Sequence, residues 1–235
     1  MNLSIIIPIL NEKKNISLLV SKIALNLKNK KYEIIIIDDS STDGSEKILL
    51  SLSKKKRIRI IFRKNKIRDL SKSCRDGFEK TKYNNILVMD GDLQHNPKYI
   101  LKMIKQMRKY NCDCVVGARD LINSRVKSLS IIRQTASYIL INFFNIIFGK
   151  KTIDPISGFF LFKKKIFHES NNNMYGKGFK ILMDIIYSSK KKLKIRDVKI
   201  KFNNRMSGKS KMSFSTLIHI ISFIGINSVR KFLFL

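Results

Sequence analysis

Short β-branched runs alternate with helical patterns through the first half of this chain, and that alternation restricts the fold more than any other feature. Leu3-Ser4-Ile5-Ile6-Ile7 reads as a strand ended by Pro8, which cannot continue a hydrogen-bond ladder. A helical pattern follows Asn11-Glu12, with Ile16, Leu19, Val20, Ile23 and Leu27 on one face. Tyr32 to Ile37 reads as a second strand and runs into Asp38-Asp39-Ser40-Ser41-Thr42-Asp43-Gly44-Ser45. The helix after this loop turns Ile48 and Leu49 inward. Ile58 to Phe62 is a third strand, Asp69-Leu70-Ser71-Lys72-Ser73 opens another helical segment, and Asn85 to Met89 is a fourth strand. Strands and helices alternating through short connections predict an α/β chain whose mostly parallel central sheet is flanked by helices.

The fourth strand carries the strongest chemical signal. Met89-Asp90-Gly91-Asp92-Leu93-Gln94-His95 places two carboxylates about one glycine, just where the strand ends. Glycine permits a tight turn, so both acids can face the same way. Mg²⁺ and Mn²⁺ sites of this kind take one or two carboxylates and complete their shell with substrate phosphates. Open α/β sheets put their ligands at that edge. Acidic turn residues are common after strands, so the motif gains its meaning from its neighbours.

Those neighbours form an ordered series. Pro8-x-x-Asn11-Glu12, the Asp38–Ser45 loop and Met89 to Pro97 resemble the nucleotide-sugar half of family-2 glycosyltransferases. The resemblance implies the GT-A fold, the Rossmann-like fold of nucleotide-diphospho-sugar transferases. Val116-Gly117-Ala118-Arg119, Asp154-x-x-Ser157-Gly158-Phe159 and Asn204-Arg205-x-x-Gly208-Lys209-Ser210-Lys211 resemble the dolichol-phosphate mannosyltransferase branch of that family. The series runs in order from about Ser4 to Lys211. It implies a catalytic domain over residues 1–212, with a donor and metal half to about 115 and an acceptor half over 116–212.

The same resemblance implies an inverting transfer of a hexose, mannose from GDP-mannose in the first instance, onto a polyprenyl or dolichyl phosphate. A UDP-hexose donor such as UDP-glucose, or a glycan acceptor, is the alternative within enzymes. A non-catalytic subunit tethering a partner to the membrane is the alternative outside them, and the intact metal motif weighs against it. Asp90, Asp92 and Gln94 are the expected ligands of Mg²⁺ or Mn²⁺. Pro8, Leu10, Glu12, Asp39 and Asp90 are expected around the donor, with Asp39 on the base or ribose and Thr42 or Asp43 capping the next helix. Arg119, Arg133, Ser157, Arg205 and Lys209 are expected around the acceptor phosphate, because a guanidinium fork matches phosphate oxygens bidentately. Of these, Asp90, Asp92, Arg119 and Arg205 carry the catalytic expectation. Asp184 matches an acidic position of relatives, suited to orienting an arginine or pairing with lysines. The chain departs from relatives at Leu10, commonly aromatic, and at Phe160, commonly arginine.

Composition agrees with a membrane-surface enzyme and excludes other classes. The 235 residues can bury one substantial α/β core. No Walker or dinucleotide fingerprint occurs. The formal charge of +31 follows from lysines spread along the whole chain, beside abundant Asn and Ile, so compositional drift of an AT-rich coding sequence explains it as well as a selected binding surface does. Such a surface is drawn to anionic phospholipids. No nucleic-acid recognition motif accompanies it. Cys74, Cys112 and Cys114 are too few for a disulfide framework and read as structural thiols of a reducing compartment. Phe214 to Leu235 is apolar but interrupted by His219, Gly225, Asn227, Arg230 and Lys231, short of the about 20 apolar residues of a span. Residues 213–235 therefore read as a membrane-associating helix at the interface or one docked on a partner, with a helix closing the domain core as the alternative, and Ile139 to Phe148 as a buried or membrane-edge helix. The expected place of the protein is peripheral, on the cytoplasmic face of the membrane. Firm anchoring would fall to that surface helix or to another subunit, a second copy included.

Overall fold

The computed structural model describes residues 1–64, 67–119, 142, 145–146, 149–178 and 181–203. Its centre is a seven-stranded sheet of β1 (Leu3–Ile9), β2 (Tyr32–Asp38), β3 (Ile58–Phe62), β4 (Asn85–Val88), β5 (Cys114–Arg119), β6 (Phe160–Lys163) and β7 (Ile195–Ile200). The spatial order is β3-β2-β1-β4-β6-β5-β7. β1, β2, β3 and β4 pair in parallel, as do β5 and β7, while β6 runs antiparallel between β4 and β5.

Both faces of the sheet are covered, which is why its strands are near-continuous apolar runs. Ile5, Ile7, Ile34, Ile36, Leu87, Val115 and Leu161 point into a layer shared by α1 (Ile16–Asn26), α2 (Ser45–Ser53) and α4 (Tyr99–Tyr110). The alternate residues Ile6, Ile35, Ile37, Ile86, Val88 and Val116 point the other way. They meet α3 (Leu70–Glu79), α5 (Lys164–Ser170) and α6 (Ile181–Ser188). Phe78 of α3 packs edge-on against Phe162 and Phe167, with centroids 5.2 Å away in each case. All three cysteines are free and buried. Burial pushes the Cys74 and Cys114 thiols well above their ordinary range, which keeps them inert.

Pro8 does not end the first strand. It remains inside β1, in register with Ile37. The Ile9 carbonyl accepts from Asp39 N on the β2 side, and the Ile6 carbonyl accepts from Met89 N on the β4 side. Backbone groups alternate sides along a strand, so the N–H that Pro8 lacks would face β4, beyond the last paired residue, Val88. No ladder bond is lost. Phe160 opens β6 and is fully buried, its ring 5.7 Å from that of Phe162. The position commonly occupied by arginine in relatives is core here.

Candidate active site

The topology brings the ends of β1, β2, β4, β5 and β7 and the start of β6 to one edge. Nine of the expected residues gather there: Pro8, Leu10, Glu12, Asp39, Asp90, Asp92, Gln94, Arg119 and Ser157. Arg133, Arg205 and Lys209 lie outside the described residues, as do the Phe214–Leu235 segment and most of Ile139–Phe148.

Two loops form the side of this edge where the donor is expected. Asn11 N donates to Ser41 Oγ at 2.8 Å, Thr42 N to Asn11 Oδ1 at 2.7 Å, and Lys13 N to Asp43 Oδ2 at 2.9 Å. The loops after β1 and β2 are thereby stapled into one surface. Asp43 also accepts from Ser45 N at 3.0 Å, capping α2 from the residue before Gly44, whereas Thr42 does not cap. Glu12 is buried and accepts from Asn15 Nδ2 at 2.7 Å.

Asp39 lies in a charged network that sequence reading missed. Its Oδ1 meets Arg63 Nη1, and its Oδ2 accepts from Asp69 N at 2.7 Å. Arg63, itself buried, donates in addition to Asp76 Oδ2 at 2.9 Å and to Ser73 Oγ at 3.0 Å. Burial pushes the Asp39 carboxyl up, and Arg63 with the Asp69 N–H offsets only part of that rise. Asp69 caps α3 by accepting from Lys72 N at 3.0 Å, and its other oxygen accepts from Gly178 N at 2.9 Å. Asp184, the acid expected to meet an arginine or lysines, accepts from Tyr175 N at 2.7 Å and Gly176 N at 2.6 Å. It holds a loop, and these N–H groups together with the charge of Arg75 offset part of the rise that burial gives its carboxyl.

The acidic motif is shaped differently from its expected tight glycine turn. Gly91 has no left-handed φ, and the left-handed residue is Leu93 at φ 65°. Gly91 is instead a close-approach position, since a Cβ there would lie 2.7 Å from Ile9 Cγ2 and 3.4 Å from Glu12 Cγ. Asn11 and Ser40 share the left-handed region at φ 57° and 64°. Non-glycine residues in that region concentrate at functional sites, and each of the three loops at this edge has one, while a fourth, Asn111, ends α4. Asp92 is buried, and its Oδ1 accepts from Gln94 N at 3.1 Å. The Asp90 side chain is 37% exposed and its Oδ2 lies 3.3 Å from His95 Nε2. His95 is held between Phe159 and Phe202, with centroids at 5.2 and 5.1 Å. Gln94 and Asn203 exchange bonds, Asn203 N to the Gln94 carbonyl at 2.9 Å and Gln94 Nε2 to the Asn203 carbonyl at 3.3 Å.

Two of the residues expected around the acceptor have internal partners in the structure. Arg119 spends two arms of its fork on Asp154, Nε to Oδ2 at 2.7 Å and Nη2 to Oδ1 at 2.9 Å. Burial alone would pull this guanidinium down, but Asp154, with Asp90 beyond it, outweighs burial and holds it above its ordinary value. Ser157 Oγ donates to the Gly117 carbonyl at 2.7 Å and accepts from Phe159 N at 3.1 Å. Both residues thus brace the segment that carries Gly158. No motif announces the Arg63–Asp39 or Arg119–Asp154 pairs, because each joins loops distant in sequence.

A profile of the family described as "Glycosyl transferase family 2" matches residues 4–170. The chain belongs to glycosyl transferase family 2. Among its family-2 relatives, a dolichol-phosphate mannosyltransferase from Pyrococcus furiosus is 33% identical over 226 residues, 95% of this chain and 63% of that protein. Another so named, from Mycosarcoma maydis, is 29% identical over 89% of this chain and 73% of its own length. The family-2 chain thus spans about two thirds of the length of these relatives. In fold it is similar to glucosyl-3-phosphoglycerate synthase from Mycobacterium tuberculosis, with TM-score 0.72 and 16% identity over 95% of this chain and 80% of that one. The GT-A architecture expected from the sequence is the one observed.

Gly158 lies directly against the acidic motif of this family-2 site. A Cβ there would stand 2.3 Å from Asp90 Oδ2 and 2.8 Å from Asp90 Cγ. The carboxylate is the mobile party, so it would rotate away while the fold persists. Gly158→Ala is therefore expected to leave the melting temperature within a few degrees of wild type. It should lower turnover about tenfold or more, the scale of a displaced charge-assisted contact. An alanine variant with wild-type kinetics would show that Asp90 need not stand where it does.

Proposed function

We propose that this chain transfers a hexose, with mannose from GDP-mannose the favoured donor, onto a polyprenyl phosphate at a membrane surface. The observation that carries the reading is the ordered second-half series ending in Arg205-x-x-Gly208-Lys209-Ser210-Lys211, together with 33% identity to a protein named dolichol-phosphate mannosyltransferase. A phosphate monoester is already anionic at neutral pH, so the nucleophile needs little help from a general base. The protein must gather two highly negative substrates and stabilise the departing nucleoside diphosphate.

The donor set suits a divalent cation. Among the described residues no three His, Cys, Asp or Glu side chains converge to hold an ion by themselves. Two carboxylates with the Gln94 amide are instead what Mg²⁺ or Mn²⁺ uses when substrate phosphates complete its shell. When bound, such an ion supplies Lewis-acid charge at the leaving diphosphate. Solved complexes of the Mycobacterium tuberculosis synthase contain Mn²⁺ with UDP-glucose. Glu12 and Asp39 shape the donor surface, with Arg63 fixing Asp39. Arg205, Arg133 and Lys209 are proposed to surround the acceptor phosphate, and Arg119 to contribute through the arm that Asp154 does not engage. Attack opposite the departing diphosphate gives inversion at the anomeric carbon. Residues 1–212 would act as the catalytic domain and 213–235 as the membrane-associating helix on the cytoplasmic face. No helix of the described residues is long and apolar enough to cross a membrane.

The test is direct. The protein, supplied with GDP-mannose, UDP-glucose and a polyprenyl phosphate in the presence of Mg²⁺ or Mn²⁺, is expected to consume GDP-mannose and form a mannosyl lipid. Arg205→Lys should lower kcat/KM for the lipid phosphate by about ten- to a hundredfold, because an ammonium cannot reproduce the fork. Slow hydrolysis of the sugar nucleotide should change much less. If a sugar hydroxyl proves the better acceptor, or Arg205→Lys transfers at the wild-type rate, the lipid-phosphate reading fails.

A further inference from the structure

At the opposite end of the sheet, where β2, β3 and β4 begin, lies a cavity of about 710 Å³ whose lining is dominated by Lys31, Lys56, Arg57, Lys80 and Lys82. Its one lining acid, Glu33, is already committed. Glu33 Oε2 accepts from Arg59 Nη2 at 2.7 Å, and its Oε1 accepts from Ser4 Oγ and Lys82 N at 2.6 Å each. The five remaining cations are exposed and form no ion pair among the described residues. Elsewhere solvent can spread such charges apart, whereas here they share one recess. Their backbones are tied as well. The Lys31 carbonyl accepts from Leu3 N at 3.1 Å, the Arg57 carbonyl from Ile34 N at 2.8 Å, and the Lys80 carbonyl from Arg59 Nη2. The Arg57 guanidinium lies over the buried Tyr32 ring, 4.9 Å from its centroid, which limits its wandering.

We propose that this cavity binds a soluble oligophosphate, a compact anion of two or three linked phosphates, at a site separate from the catalytic edge. Five uncompensated charges repel one another until an anion of matching charge enters, and a single phosphate would leave most of that surplus. The volume falls within the range of small-molecule pockets, about 300–1,000 Å³. A flat bilayer surface cannot enter a recess as a compact anion can, which favours the soluble ligand over a lipid headgroup of the same chemistry.

Calorimetric titration of the whole chain with inorganic triphosphate tests this, in EDTA so that no cation bridges the anion to Asp90 and Asp92. Arg57→Glu/Lys82→Glu is compared with Lys102→Glu/Lys105→Glu, which makes the same change in net charge on exposed positions of α4. Circular dichroism verifies that both variants are folded. The cavity variant is expected to bind triphosphate at least tenfold more weakly than wild type, and the α4 variant within threefold of it. Equal weakening in both would mean bulk charge alone and would overturn the site, as would an unchanged affinity in the cavity variant. Cosedimentation with phosphatidylserine vesicles should be the same for the cavity and α4 variants. A selective loss of vesicle binding in the cavity variant, without a loss of triphosphate binding, would assign the cavity to a lipid headgroup and refute the soluble ligand.

Discussion

Asp92→Asn is expected to lower turnover by two orders of magnitude or more while leaving the protein folded. The substitution keeps the shape of a side chain that is buried and bonded to Gln94 N, yet it removes a full negative charge from the set that would hold the cation. A metal ion acting on a leaving phosphate supplies several kcal/mol of charge stabilisation, and each ~1.4 kcal/mol is a tenfold change in rate. Excess EDTA on the wild type should give a loss of the same order, and added Mg²⁺ or Mn²⁺ should restore it. Turnover that persists in EDTA would remove the metal from the reaction, whatever the variant does.

The second large effect concerns stability. Arg63 is buried and serves Asp39, Asp76, Ser73 and the Asp69 carbonyl at once. Arg63→Met fills a similar volume but strands the buried Asp39 carboxylate. Removing one partner of a buried pair typically costs about 3–5 kcal/mol, and a loss of that order should appear in urea denaturation. Adding Asp39→Asn to Arg63→Met should recover part of it, since the neutral amide no longer needs a cation. A single-variant cost below about 1 kcal/mol would mean that solvent reaches the pair, a regime in which ion pairs contribute little.

Local pattern carried the architecture and the acidic motif. The period of the apolar residues placed β2 and β3 correctly, and Asp90 and Asp92 do stand at the end of a central strand. What it could not carry was partnership. Arg63 sits in a basic run that gives no hint of Asp39, and Asp154 reads as one letter of a motif until it is found gripping Arg119. The antiparallel β6 was likewise hidden, because a short apolar run does not announce its direction. Pro8 was misjudged for a related reason. A proline ends a strand only where its missing donor has a neighbour to serve, and that depends on where β4 stops.

The same insertion of β6 bears on how the chain is made. Val88 of β4 pairs on one side with Ile6, already synthesised, and on the other with Phe160, roughly 70 residues downstream, several seconds of synthesis at about 5–20 residues per second. For that interval Ile86-Leu87-Val88 would stand as a bare apolar strand edge on a nascent chain, the kind of surface that invites pairing with a neighbour on the same polysome. Mutual repulsion among chains carrying so large an excess of lysine works against such encounters. A charge that looks like compositional drift in the finished protein would then serve as a spacer during its birth.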